Sequence, residues 1–280
     1  MTMLAALLLS LTLSQEPIPA ARADFDAGNY KAALTTLTAS LGHAPNDPIL
    51  HYWIARTDYE MRNYDEAVNH AETAVRLAPQ NAEYNRWLGR AYGAKAEESH
   101  SFFLARKVKQ AFEAAVRLAP LNIAARRDLM QYCVEAPWIV GGDKDKAKQQ
   151  IEAITAIDPV EGRLARAAYL TAEKQWKTAE NEYVAMLDQH PAHIDPYMEA
   201  AGFFADRKNT TALERTVEAA SRVDARDPRV GYYRAVTFIL KGTDRPAAEK
   251  LLQSYIASVP EKSDYPSHKS ATEWLARISH

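Results

Sequence analysis

Two short clusters contain residue types that could bind a ligand or a metal. Gly141–Lys144 has the glycines and lysine of a phosphate-binding turn, but it lacks the G-x4-G-K-[ST] spacing. A glycine pair that reverses the chain, with Asp143 capping the next helix, explains the same residues. His190 and His193 are three residues apart, as metal ligands on a helix can be, but Pro191 between them indicates a turn. We therefore expect both histidines to be exposed to solvent rather than to bind a metal.

Motifs of catalysis are missing from the rest of the sequence. It contains no HExxH, EF-hand or GxSxG pattern. Cys133 is the only cysteine, which excludes an internal disulfide and a cysteine-based metal cluster. We expect Cys133 to act as a small apolar residue buried in the core. The sequence thus predicts no enzyme, with no catalytic, cofactor-binding or metal site.

Composition favours helices over strands. The chain has 280 residues, of which 47% are hydrophobic and 25% charged, and only 10 are glycine. Good helix formers such as Ala, Leu, Glu, Lys and Arg are plentiful. A net charge of −2 gives no general attraction to nucleic acid or to an anionic membrane. These values predict an all-α protein that does not bind nucleic acid.

The N-terminus is an apolar segment of its own. Residues 3–13 are almost entirely apolar but too few to span a bilayer, which needs about 20 residues. Such a run, followed by small residues, is typical of a secretory signal peptide, although no Lys or Arg precedes it. We expect a signal peptide over residues 1–14, with cleavage after Ser14, Ala20 or Ala23, and an exported protein. A buried N-terminal helix is the alternative, and it would leave the protein in the cytoplasm.

An internal repeat of about 34 residues runs through the chain. Tyr30 and Tyr64 begin matching segments 34 residues apart, and Pro45 and Pro79 end them at the same separation. The prolines at equivalent places of the repeat follow after 41, 39, 32, 37 and 32 residues, at Pro120, Pro159, Pro191, Pro228 and Pro260. Since proline cannot continue a helix, each one marks the end of a helical unit. This spacing predicts a stack of helical hairpins.

Small residues recur where two helices would have to approach each other closely. Gly89 lies in the first helix of its unit, and equivalent places in other units hold Ala55, Ala167 and Ala201. The second helices carry Ala33, Ala67, Ala147 and Ala179 three residues after they begin. The most complete unit contains Trp87, Leu88, Gly89, Tyr92, Phe112, Ala115 and Pro120. It resembles the W-x2-L-G-x2-Y…A-x3-F…P pattern of the tetratricopeptide repeat.

The resemblance implies a right-handed α-solenoid of about seven helix–turn–helix units with a C-terminal capping helix. It covers nearly all of residues 15–280, which we take as one domain. We place the units at roughly 14–47, 48–81, 82–122, 123–159, 160–193, 194–227 and 228–261, and the capping helix at 262–280. In this family the first helices line a concave groove that binds other proteins. The residues that would face this groove are Tyr52, Trp53, Arg56, Arg86, Trp87, Arg90, Arg127 and Gln131.

The groove residues form a basic stretch lined by aromatic rings. Arginine matches carboxylates with two parallel hydrogen bonds, and Trp and Tyr are frequent at the centres of interfaces. We therefore expect an acidic peptide or a peptide C-terminus as the partner. The alternative is that the arginines pair with Glu83, Asp58, Glu60 and Asp128 of the protein itself.

Two units are longer than the others. The extra residues fall around 98–103 and 136–142, in the expected turns between the two helices of a unit. Turns at the same edge of a solenoid should be neighbours. They contain the apolar residues Phe102, Phe103, Trp138, Ile139 and Val140, which form either an exposed contact patch or a packed pair of loops.

The function that this sequence predicts is a protein-binding scaffold or adaptor in the periplasm or cell envelope. An assembly factor for an outer-membrane or polysaccharide-export machine is a second possibility. A cytoplasmic accessory subunit of an enzyme is a third, and it requires that the leader is not cleaved. No cofactor and no membrane span in the mature chain are expected.

Overall fold

The computed structural model describes residues 17–278, so the signal peptide predicted over residues 1–14 lies outside the described part. Residues 17–278 contain 15 α-helices and no strand. In chain order, α1 to α15 are Pro17–Asp26, Tyr30–His43, Pro48–Glu60, Tyr64–Leu77, Ala82–Ser99, Phe102–Leu118, Ile123–Glu135, Lys144–Ile157, Pro159–Ala172, Trp176–Leu187, Asp195–Asp206, Thr210–Val223, Pro228–Lys241, Arg245–Ser258 and His268–Ala276. None of these helices is both long and apolar enough to cross a membrane.

Consecutive helices pack as seven hairpins, from α1 with α2 to α13 with α14. Helix α15 covers the last hairpin, where the side chain of Ala271 is fully buried and Ser270 shares a 2.7 Å hydrogen bond with Tyr232. Each hairpin therefore buries its apolar face against its neighbours in the chain. The predicted all-α solenoid with a capping helix is confirmed.

Capping side chains begin the first helix of most hairpins. Asp47, Asn81, Asn122, Asp158 and Asp227 each accept a hydrogen bond from a backbone N–H of the helix that follows. Such a cap satisfies a donor that has no partner inside the helix. Because these residues stand just after the repeat's prolines or beside them, they set where each new hairpin starts.

Close helix contacts occur where the small residues lie. The side chains of Ala33, Ala67, Ala147 and Ala179 are all fully buried. At Gly89 of α5, a Cβ atom would lie only 2.4 Å from the ring of Phe112 in α6. The absence of a side chain is thus what allows α5 and α6 to pack at this distance.

The extra residues of the third hairpin are not in a loop, contrary to the prediction. They lengthen the helices, since α5 has 18 residues and α6 has 17, against 13 and 14 in α3 and α4. The helix formers of residues 94–98 continue α5, and only His100 and Ser101 separate it from α6. Ser101 then caps α6 by accepting a hydrogen bond from the N–H of Leu104. Phe102 and Phe103 accordingly belong to the first turn of a helix.

The extra residues of the fourth hairpin do form a loop, over 136–143, with one 3-10 turn at Trp138–Val140. This loop lies against α6, because Lys109 donates a 2.8 Å hydrogen bond to the carbonyl of Gly141. The extended third hairpin and this loop are therefore neighbours, as expected of the two insertions.

The segment that follows α14 returns to the first hairpin. We call residues 260–266 the C-terminal strap. Pro260 packs on Gly28, and the hydroxyl of Tyr30 donates a 3.0 Å hydrogen bond to the carbonyl of Glu261. Lys262 Nζ donates a 2.7 Å hydrogen bond to the carbonyl of Asp26. The strap thereby joins the two ends of the solenoid.

Candidate functional site

The predicted groove residues come from the parallel first helices α3, α5 and α7, and most of them lie together. Arg56, Arg86, Trp87 and Arg90 line one cavity of about 420 Å³. Trp53 is buried beneath Arg56 rather than exposed in the cavity. The hairpin repeat brings these residues together because it places equivalent positions of neighbouring first helices side by side.

Arg56 is held among aromatic rings. Its guanidinium carbon lies 4.5 Å from the ring centre of Trp53, 4.7 Å from that of Trp87 and 4.9 Å from that of Phe25. Its Nη1 donates a 3.2 Å hydrogen bond to the hydroxyl of Tyr52. Its buried Nε has no hydrogen-bond partner, and it forms no ion pair with any carboxylate of residues 17–278. Arg56 is therefore a cation held in place by rings, with capacity to bind a carboxylate.

Arg86 and Arg90 are instead bound to carboxylates of the protein. Both reach Asp128 of α7: Arg86 Nε lies 2.7 Å from Oδ2 and Arg90 Nη2 lies 2.9 Å from Oδ1. Arg86 Nη1 also lies 3.1 Å from Glu83 Oε1. Burial is the largest single effect on the pKa of Arg90 and lowers it, but the hydrogen bond and the charge attraction to Asp128, with the nearby Glu83 and Tyr59, together raise the pKa. Arg86 and Arg90 therefore follow the second alternative, in which the arginines pair with carboxylates of the protein itself.

Glu83 connects this ion-pair cluster to the aromatic rings. Its Oε1 accepts a 2.9 Å hydrogen bond from Trp87 Nε1 and a 3.4 Å bond from the hydroxyl of Tyr52. Burial, more than the nearby charges, raises the pKa of Tyr52, so its hydroxyl stays protonated and able to donate. Of the other carboxylates considered as arginine partners, Asp58 accepts from Asn63 and Glu60 accepts from the strap.

The two predicted residues of α7 do not line this cavity. Arg127 lies between Glu161 and Glu199, with its Nη1 at 3.0 Å and its Nη2 at 2.6 Å from their oxygens. Gln131 donates to Glu135 on its own helix. Carboxylates therefore neutralise the basic stretch at Arg127. Of the four predicted arginines, Arg56 is the one without a carboxylate partner within residues 17–278.

The C-terminal strap forms one wall of the cavity, and no sequence motif had indicated this. Ser263 and Asp264 line the cavity beside Arg56, and they also line a second cavity of about 510 Å³ with Asp195 and Arg229. Asp264 forms no ion pair with a cation of residues 17–278. The strap thus divides the concave face into two chambers and places a carboxylate in both.

The predicted apolar residues at the tip of the third hairpin and in the loop over 136–143 lie mostly in solvent. Trp138 is 85% exposed, Phe103 70%, Phe102 69% and Ile139 51%. Val140 is buried instead, and its carbonyl accepts a 2.7 Å hydrogen bond from the hydroxyl of Tyr132. Between the tip and the loop lies an open groove of about 520 Å³, lined by Phe102 and Val140 among others.

Comparison with known proteins agrees with this architecture, that of an α-solenoid built from helical hairpins. Residues 24–91 match the tetratricopeptide repeat family model. A tetratricopeptide repeat protein from Parabacteroides merdae is 13% identical, covers 95% of this chain and 98% of its own, and has a TM-score of 0.59. No curated protein sequence matches the chain.

Two further solved structures have the same fold. A thermophilic protein of Thermus thermophilus with this repeat is 21% identical over 73% of this chain and 97% of its own, with a TM-score of 0.53. The Pseudomonas aeruginosa protein pilF is 14% identical over 78% of this chain and 95% of its own, with a TM-score of 0.50. At these identities the likeness concerns the fold alone. Residues 24–91 thus contain the tetratricopeptide repeat, and the hairpin stack of residues 17–278 is the fold of the proteins built from it.

Proposed function

We propose that this protein is a non-catalytic scaffold of the cell envelope that binds an acidic peptide, or a peptide C-terminus, in its concave groove. The tetratricopeptide repeat fold supports protein interaction in general. The proposal adds two specific points: that this protein lies in the cell envelope, and that its partner is acidic or presents a C-terminal carboxylate.

The single observation that carries the proposal is that Arg56 has no carboxylate partner within residues 17–278. Of the four predicted groove arginines, Arg86, Arg90 and Arg127 are matched by carboxylates, whereas Arg56 holds its charge among rings beside a cavity of about 420 Å³. A guanidinium that no carboxylate neutralises is a ready partner for a carboxylate. The rings fix its position, so little side-chain freedom is lost when a ligand binds.

Substitution of Arg56 tests the proposal better than charge reversal of Arg86 or Arg90. Reversing either of those would remove one of the two partners of Asp128, place a like charge beside it and disturb the stability of the groove. Arg56→Met keeps much of the apolar volume among the rings and removes the charge. Arg222→Met, at an exposed position of α12, is the matched control. The probe is a short Asp- and Glu-rich peptide with a free C-terminus, compared with the same peptide carrying a C-terminal amide.

The envelope location rests on the apolar segment at residues 3–13 and the small residues after it. N-terminal sequencing of the mature protein from fractionated cells tests it. A periplasmic protein that begins after Ser14, Ala20 or Ala23 supports export, and a cytoplasmic protein that retains residues 1–14 refutes it.

A further inference from the structure

The groove at the tip of the third hairpin is a second surface with its own chemistry. It shares no lining residue with the concave cavity at Arg56. Because α5 is five residues longer than α3, its end extends about 7 Å further along the helix axis. The loop over 136–143 lies beside this tip, and the groove of about 520 Å³ runs between them.

The floor of this groove consists of small and apolar residues. They are Gly93, Ala96, Ala105, Val108, Ala136 and Val140. Phe102 lines one side, and Trp138 lies in the loop next to Pro137, which lines the other. Both aromatic side chains are more than two-thirds exposed. An apolar depression lined by one exposed ring, with a second exposed ring beside it, indicates a contact surface.

The charges around the groove are unbalanced. The cations of α6 beside the loop are engaged within the protein. Arg106 and Lys109 donate to the carbonyls of Ile139 and Gly141, and Lys107 pairs with Glu72. Glu97 and Glu135, which line the groove, are exposed and form no ion pair with a cation in the described range 17–278. Glu97 and Glu135 therefore give the lining of the groove a negative charge, and no Lys or Arg of the described residues lines it.

We propose that this groove binds the apolar face of a short amphipathic helix whose flanking residues are Lys or Arg. Binding of such a helix in an apolar groove is a common mode of peptide recognition, and the groove volume is within the range of ligand sites. Small residues on the floor leave room for large side chains from the partner. Glu97 and Glu135 select a basic helix, and the same carboxylates repel an anionic membrane surface.

Designed peptides provide the probe. One is a 14-residue helix with Leu on one face and Lys on the other, and its partner has Glu in place of Lys. Isothermal titration with the full chain should show one bound Leu/Lys peptide and at least about tenfold weaker binding of the Leu/Glu peptide. Phe102→Ala and Trp138→Ala should each weaken the Leu/Lys peptide at least about tenfold. The double variant Glu97→Lys with Glu135→Lys should reverse the preference.

Leu121→Ala is the matched control, because Leu121 is 77% exposed and lies in the turn between α6 and α7. It should leave binding unchanged, and circular dichroism should show that every variant is folded. Equal binding by the Trp138→Ala, Phe102→Ala and Leu121→Ala proteins overturns the proposal, as does equal affinity for the two peptides. Binding to anionic phospholipid vesicles that is lost in Trp138→Ala also overturns it, in favour of a membrane surface.

Discussion

Ser263 donates two hydrogen bonds to one carboxylate, that of Glu60, across 203 residues of sequence. Its backbone N–H lies 3.0 Å from Oε2 and its hydroxyl lies 2.8 Å from Oε1. Glu60 ends α3, and Ser263 is in the C-terminal strap. This pair, with the strap's contacts to Gly28 and Tyr30, turns an open row of hairpins into a closed one.

Gly28→Ala should open this closure. Gly28 has a left-handed backbone, with φ at 76°, and a Cβ would lie 2.1 Å from the Cβ of Pro260. We expect a loss of about 2–4 kcal/mol in the free energy of unfolding, from backbone strain and overlap together. Urea unfolding measures the loss, and hydrogen exchange should rise at residues 260–266.

Gly242→Ala is the control for this prediction. Gly242 also has a positive φ, 66°, but nothing lies within 4 Å of the position of its Cβ. The Gly242→Ala protein should therefore lose free energy of unfolding through backbone strain alone, about 1–2 kcal/mol. Equal losses in the two variants, with no change in exchange of the strap, would contradict the closure.

Much of the fold could be predicted because the repeat is local. Pro45 and Pro79 mark the ends of hairpins, and Gly89 marks a close contact between two consecutive helices. The closure at Ser263 could not be predicted in this way. It depends on the small rotation between hairpins, summed over seven of them, and residues 260–266 carry no motif.

Gly89→Ala tests the close contact of α5 with α6. The added methyl group would lie 2.4 Å from Cε1 of Phe112, so that ring or the helix must shift. We expect a loss of about 1–3 kcal/mol in the free energy of unfolding. Gly93→Ala, one turn further along α5, meets nothing within 4 Å and should be neutral or stabilising by up to about 1 kcal/mol. A stability for Gly89→Ala as high as for Gly93→Ala would refute the packing role.

The pairing of the groove arginines could be predicted from the sequence only in part. Arg86 and Asp128 are 42 residues apart, on neighbouring first helices, and their contact follows once the hairpins are aligned. From the sequence, both residues could be predicted to lie at the groove. The sequence did not decide whether the arginines bind a carboxylate of another protein or one of this protein. Which arginine stays without a carboxylate depends on side-chain geometry, and the ring of Phe25 from α1 contributes to it.

The His51–His70 pair should make stability depend on pH. Their Nδ1 atoms are 2.8 Å apart, so at least one ring must be neutral to accept the hydrogen bond. Burial, and secondly the charge of His51, lowers the pKa of His70 below its usual 6.5, although Glu66 opposes this. The unfolded chain then binds a proton that the folded chain does not, so stability falls as the pH falls through about 6.5.

Thermal unfolding between about pH 7.5 and pH 5 measures this dependence. His70→Gln should flatten the curve in this range, while His43→Gln, at an exposed position, should not change it. If His70→Gln leaves the slope as in the unaltered protein, the pair is not its source.

Asp264→Asn should strengthen binding of the acidic peptide. Asp264 lines the same cavity as Arg56 and forms no ion pair within residues 17–278, so its charge repels an incoming carboxylate. Removing one like charge at this range should raise affinity about threefold to tenfold. Asp145→Asn, on an exposed part of α8, is the control in the same titration. Weaker binding by Asp264→Asn would show that the strap assists the peptide instead.

The most direct test of the proposed function is the affinity of the acidic peptide for the Arg56→Met protein, measured by fluorescence anisotropy. We predict at least about tenfold weaker binding than for the unaltered chain, because a charge-assisted hydrogen bond is lost, and unchanged binding for Arg222→Met. The amidated peptide should bind the unaltered chain more weakly if the C-terminal carboxylate is the group recognised. Equal affinity of the Arg56→Met and Arg222→Met proteins, both folded, would contradict peptide binding at Arg56.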